Sequence, residues 1–369
     1  MRHAWLVLGA LQLCACNAIL GIGDFTVADD GGPPPPPDGG DLCLGTLATV
    51  CFDLPQPDLT GLGDRIDTDV DCALVTPQLD GGGDVCVILS QTLELSGPLR
   101  VFGGRPLMLI AVDSIRLSGA IVDASSFHNP LAQPGAGANP ELCESLPTGA
   151  EDAMIGSGGG GGGALGSNGG EGGAGGGGQV PGGIAGSPFE IFTLRGGCRG
   201  GDGGKGLAGN GGNGSGGGAI YLVAGNSITI DNASAVFASG AGGGEGFQRG
   251  GGGGGGSGGL VALEAGMLAI DGILAANGGG GGGGAGDADA KPGSDGTTFQ
   301  FMLRAQGGTG DGMSGGGGDG GGLVEPAGNS GGTAQLGGGG GGGGSAGAIW
   351  LKGTMMMSSL RASPSPLFN

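Results

Sequence analysis

The stretch GAIYLVAGNSITIDNASAVFASG, residues 218–240, decides how the chain is read. It holds an apolar run from Ala219 to Ala224, a turn at Gly225-Asn226, an alternating run from Ser227 to Ile230, a turn at Asp231-Asn232, and a short third run from Ala235 to Phe237. Period-two alternation marks strands, and Gly, Asn and Asp dipeptides mark turns. The same plan recurs at residues 106–126, 259–278 and 347–363. Laid over one another, the segments put Ile115, Ile228, Leu268 and Met355 at one position. Leu117, Ile230, Ile270 and Met357 fall two residues later, on the same face. One such unit cannot bury its apolar face alone. Copies stacked in parallel at about 4.8 Å form a continuous core. The repeat therefore predicts an all-β chain built from the coils of a parallel β-helix, a solenoid. Upstream, Val85–Leu89, Thr92–Leu95 and Leu99–Phe102 read as separate short strands divided by Gly or Pro.

These coils resemble right-handed parallel β-helices of the pectin-lyase-like kind, which implies that handedness. Between them lie glycine tracts, roughly 156–186, 196–218, 240–259, 278–296 and 307–347. Glycine makes up 104 of the 369 residues, about four times ordinary usage. No Gly-X-Y period accompanies it, which excludes collagen. The tracts ending at Gly218, Gly259 and Gly347 lead straight into a first strand, and insertions at one junction of a solenoid emerge together. Long glycine-rich insertions on one face are expected. Glycine has the highest ordering cost and no side chain to bury. The tracts either stay unordered or pack as extended strands whose missing Cβ atoms permit close approach; the sequence leaves both open.

The chain opens MRHAWLVLGALQLCAC. Arg2 and His3 precede an apolar run of about ten residues, too short to cross a membrane and suited to the centre of a secretory signal. Leu13-Cys14-Ala15-Cys16 resembles the bacterial lipobox, in which the cysteine after the cut carries lipid. The resemblance implies cleavage before Cys16 and anchoring by acyl chains. Placing the cut before Cys14 instead leaves Leu13 in a small-residue pocket, which favours Cys16. The following residues, Asn17 to Phe25, resemble the starts of glycine-rich, largely uncharacterised lipoproteins of myxobacterial type. Asn17, rather than Asp, after the lipidated position implies the outer membrane.

The expected organisation is a signal peptide at 1–15, a lipid-anchored Pro/Gly/Asp-rich tether at 16–41, a cysteine-containing cap at 42–90 and glycine-interrupted β-helix repeats over 91–369. Pro33 to Pro37 favour a stiff polyproline II spacer. With Cys14 and Cys16 set aside, Cys43, Cys51, Cys72, Cys86, Cys143 and Cys198 remain, an even number that reads as three disulfides in an oxidising compartment. Fifteen connectivities are open; Cys43–Cys51 and Cys72–Cys86 as local bridges leave Cys143–Cys198. No C-x-x-C pair supports zinc, and no metal or cofactor is expected.

The formal net charge of −20 opposes binding to phosphate backbones, so nucleic acid is not an expected partner. Asp67-Thr68-Asp69-Val70-Asp71 begins like a calcium loop, but Cys72 stands where the glycine belongs. Asp202, Asp287 and Asp311 fall near calcium-repeat positions with the wrong spacing. Gly204-Lys205-Gly206 lacks the hydroxyl residue of a phosphate loop. His128 is a lone loop histidine without the carboxylate that would orient a catalytic one. Asp231 and Asp271 align as a carboxylate pair able to suit glycoside cleavage, yet each opens a turn dipeptide. No catalytic residue emerges.

The favoured role is a membrane-anchored surface lipoprotein, structural or adhesive, touching envelope or extracellular matrix components. The alternative is a polysaccharide lyase or hydrolase on the β-helix scaffold, which the single Tyr (Tyr221) and the paucity of Trp disfavour. No sorting motif or translocator follows Asn369, so lipid is the one anchor expected.

Overall fold

The computed structural model describes residues 42–54, 56–78, 82–128, 133–143, 145–288, 290–300, 302–356 and 360–369. Cys16 and the segments expected to form a signal peptide and a tether, 1–15 and 16–41, lie outside these residues. Strands β1 (Leu42–Leu44) and β2 (Val50–Phe52) form an antiparallel hairpin clasped by Cys43–Cys51. Strands β3 (Leu59–Thr60), β4 (Arg65–Asp67) and β5 (Leu74–Thr76) run along β6 (Val85–Phe102).

The body is a curled sheet of parallel strands. Next to β6 come β7 (Leu107–Asp123), β8 (Ala219–Ile230), β10 (Leu260–Ile270), β12 (Ala348–Met356) and β14 (Leu367–Phe368), side by side in that order. The short strands β9 (Ala235–Phe237), β11 (Ile273–Ala275) and β13 (Arg361–Ser363) continue the sheet beside the end of β7. Ile115, Ile228, Leu268 and Met355 are register partners, as are Leu117, Ile230 and Ile270; Met357 is not among the described residues.

The runs expected as separate strands at 85–89, 92–95 and 99–102 are instead one ladder, β6. Gly97 and Gly119, with φ of 77° and 64°, act as corners within β6 and β7. Left-handed backbone there bends the strands, and the β6–β7 pairing continues past the bend with a register shift.

Alternate residues face two cores. Leu107, Leu109, Ile220, Leu222, Val261, Leu263, Ile349 and Leu351 meet inside the curl. Met108, Ile110, Tyr221, Val223, Ala262 and Trp350 point the other way, where Ala48, Val50 and Phe52 of the β1–β2 hairpin region cover them. Burial on both faces explains why these first strands read as unbroken apolar runs. The repeats meet at one kind of junction: the amides of Gly218, Gly259 and Gly347 donate to the carbonyls of Ala124, Ala238 and Ala276. The structure also pairs Cys72–Cys86 and Cys143–Cys198.

From that junction the glycine tracts run out and back in several passes. They are ordered by hydrogen bonds to one another. In the returning pass 250–259, the amides of 251, 254 and 257 donate to the carbonyls of 204, 201 and 198. Those of 252, 255 and 258 donate to 339, 342 and 345, and those of 253, 256 and 259 to 244, 241 and 238. Successive residues thus address three directions in turn, the threefold habit of a polyproline II helix, which makes no internal hydrogen bonds. Carbonyls of the same pass accept from 211, 214 and 217, from 160 and 163, and from 279, 282 and 285. Passes 157–163, 278–285 and 338–347 are surrounded in the same way. At the margin the period persists in burial: 183, 186, 293 and 296 are buried, while 181, 184, 291 and 294 are exposed.

Candidate binding surface at the end of the glycine bundle

The hydrogen-bond register fixes which turns share a level. Residues 157, 204, 249, 285, 315 and 338–339 are linked amide to carbonyl within a few bonds. The turns at 151–156, 176–180, 207–210, 247–249, 286–288, 311–314 and 335–336 therefore gather at the end of the bundle away from the strand junction. Passes of about ten residues place this tip roughly 30 Å out, at 3.1 Å per residue.

The pass interiors carry almost no side chains, whereas the tip turns carry large ones. Met154, Ile155, Leu207, Met313 and Leu336 are all exposed apolar residues there. Four of them, without Leu207, border a cavity of about 470 Å³ whose floor is glycine backbone, a size ordinary for ligand pockets. Arg249 crosses it. Its guanidinium donates to the Met154 carbonyl and pairs with Asp287 at 3.4 Å. Asp311 accepts from the amides of Gly286 and Ala288 and, at 2.7 Å, from the Ser314 hydroxyl. Burial pushes the Asp311 carboxyl up, but these donors together outweigh it and hold it below the usual carboxylate range. Gln248 and Arg249 have φ of 38° and 67°, a conformation that is strained for non-glycine residues. In a chain this rich in glycine, keeping side chains there points to a use for them.

Asp287 and Asp311, singled out in the sequence as imperfect calcium-repeat positions, thus meet in this cavity. Asp202 does not join them; it accepts from the backbone and side-chain amides of Asn213 and ties two passes together. The carboxylate of Asp231 takes the amides of Gly119 and Ala233 and the Ser234 hydroxyl. Ser234 above all, then the amides of Gly119, Ala233 and Ser234, hold its carboxyl low against a little desolvation. Asp231 and Asp271 follow the ends of the neighbouring strands β8 and β10, and the Asp271 amide donates to the Ile230 carbonyl. Asp67, Asp69 and Asp71 serve a turn: Asp69 accepts from Gly104, and Asp71 from the Asp67 amide. The His128 amide donates to Asp295, and the ring borders a groove with Phe127 and Phe247. Among the described residues no group of His, Cys, Asp and Glu is placed to hold a metal ion.

No protein-family model, curated protein or solved structure matches the chain.

A second polar cluster lies where the hairpin meets the sheet. The Tyr221 hydroxyl donates to Glu264 and accepts from the Thr46 amide at 2.9 Å. Glu264 also accepts from the Thr46 hydroxyl at 2.6 Å and from Lys352 at 3.0 Å. Burial, then the neighbouring Glu264, pushes the Tyr221 phenol far up. Burial also pushes Glu264 up, yet its bonds from Thr46, Tyr221 and Lys352 win and hold it below the ordinary value. The Tyr221 ring meets Trp350 edge-on, with centroids 6.0 Å apart. Every acceptor of Glu264 is engaged by residues that hold the hairpin, so this cluster is a clasp.

Composition hid the tip. Its residues are scattered over the sequence as one to three large side chains between glycine runs, such as Met154-Ile155 and Phe247-Gln248-Arg249. The available signal was their recurrence at the ends of runs of similar length.

Proposed function

We propose that the chain is an exported lipoprotein, held to the outer membrane through Cys16, whose folded part is a right-handed parallel β-helix. Its glycine bundle carries the tip outward as a contact surface for other molecules of the envelope or matrix. The observation that carries this reading is the segregation of side chains. The bundle interior is bare backbone, while exposed apolar groups and a cavity gather at the free end. A cluster of exposed apolar side chains gathered round a cavity marks an interaction site. The handedness rests on the likeness of the repeats to those of pectin-lyase-like proteins. The anchor rests on the lipobox-like Leu13-Cys14-Ala15-Cys16 and the proline spacer behind it.

Fatty-acid labelling of cells that make the wild type or Cys16→Ser, combined with surface protease accessibility and a matrix-adhesion assay, tests this. Labelling lost in Cys16→Ser and adhesion lost on deletion are expected. Equal labelling of both forms, or a deletion that leaves surface behaviour unchanged, refutes the reading.

A further inference from the structure

We propose that the tip cavity is a docking site for a polypeptide segment that presents an aliphatic side chain beside a basic one. This rests on the reading of the tip as a contact surface and adds the chemistry of the partner. The walls of the cavity include the side chains of Met154, Ile155, Met313 and Leu336, between 40% and 74% exposed, beside polar ones such as Gln179 and Gln335. Unbranched methionines adapt to an aliphatic guest without a fixed shape. Among the described residues no aromatic ring lines the cavity to stack on a sugar.

The charges point the same way. Arg249 is engaged by Asp287 and the Met154 carbonyl and is less exposed than Asp287, at 37% against 91%. Asp287 is 91% exposed and touches Arg249 through one oxygen, which leaves the other to meet a lysine or arginine. Anionic lipid or an acidic segment meets repulsion from Asp287, from Asp311 and from a chain of net charge −20. Arg249 acts as a positioning residue. By joining the turns of Met154 and Asp287 it sets the width of the mouth, and the strained backbone it occupies is relieved in Arg249→Gly.

The test uses the mature chain and three labelled peptides of equal length: Leu/Lys, Leu/Glu and Ser/Lys. Fluorescence anisotropy is expected to show binding of the Leu/Lys peptide, weakened tenfold or more in Met154→Ser/Met313→Ser/Leu336→Ser and severalfold in Asp287→Asn. Asp53→Asn, outside the tip, is expected to leave it unchanged, which separates docking from general attraction to an acidic protein. Arg249→Gly is expected to weaken binding with no loss of thermal stability, a combination that a purely structural role does not produce. Hydrogen exchange of pass 250–259 in each variant checks that the bundle stays folded. Equal binding of all three peptides, or binding insensitive to the tip variants, overturns the proposal. If that happens while deletion of the protein still abolishes adhesion, the contact-surface reading stands and only the partner chemistry falls.

Discussion

A methyl group on Gly254 would sit 1.9 Å from the carbonyl oxygen of Gly161, and one on Gly341 2.0 Å from that of Gly253. Neither glycine has a left-handed φ, so backbone freedom does not explain them; the closeness of the next pass does. The neighbours are themselves hydrogen-bonded backbone and cannot yield. Gly254→Ala is expected to lower unfolding stability by about 1–3 kcal/mol, the range of an overpacked site. Gly212 lies in the same bundle with nothing near its missing Cβ. Gly212→Ala is expected to be neutral or to stabilise by about 0.4–1 kcal/mol, because it stiffens the unfolded chain. Denaturant midpoints of the two variants decide the matter, and a similar shift in both sinks the packing account. This contrast was not legible in the sequence, where both are glycines among glycines. The aligned Ile115, Ile228, Leu268 and Met355 were legible, because strand side chains alternate and parallel neighbours keep register.

At the scale of elements, the β1–β2 hairpin is docked by one polar clasp over an apolar patch. Its pH limits follow from the signs of the two shifts. Glu264 titrates low when folded, so the stability it gives is present above the ordinary carboxylate value and is lost as pH falls through its depressed one. Tyr221 titrates high when folded, so its contribution is intact below about pH 10 and is lost as pH rises beyond that. Tyr221 is the only tyrosine of the chain, so ultraviolet absorbance of tyrosinate reads it alone. It is expected to ionise only with alkaline unfolding, together with a change in Trp350 fluorescence. Ionisation near pH 10 in a still-folded protein would contradict the clasp. Tyr221→Phe leaves Glu264 and the Thr46 amide one partner short and is expected to cost about 1–2 kcal/mol. The Cys143–Cys198 bridge closes a much longer loop than Cys43–Cys51, with a separation of 55 against 8 residues. Replacing both Cys143 and Cys198 by Ser is expected to cost about 2–5 kcal/mol in unfolding measurements. The sequence left fifteen connectivities open; the choice of two local bridges and a remaining third agrees with the pairs in the structure. The hairpin's place over Tyr221 and Trp350 was not, because nothing in residues 42–52 names the face they cover.

At the scale of the whole molecule, two kinds of core share one chain. In the curled sheet, apolar side chains are removed from water and the backbone pairs in ladders. In the glycine bundle there is no side chain to bury, and order rests on backbone hydrogen bonds in three directions and on the contact that missing Cβ atoms allow. The choice between unordered and packed tracts was open in the sequence because a threefold pattern is invisible where every residue is glycine. It surfaces only at the margin, in the three-residue spacing of Arg199, Asp202 and Lys205, whose side chains stand out from an outer pass. The two cores meet where Gly218, Gly259 and Gly347 feed strands β8, β10 and β12, so the bundle is expected to stand or fall with the sheet. Hydrogen exchange followed by mass spectrometry is expected to show peptides from 250–259 and 338–347 protected to the same degree as those from β8 and β10. Glycine amides in an unordered chain exchange fast, since nothing shields them. Exchange of the tract peptides at unstructured rates, beside a protected sheet, would leave the tip without a rigid support. Matching protection, lost together with that of the sheet as denaturant rises, requires the bundle and the sheet to unfold as one unit.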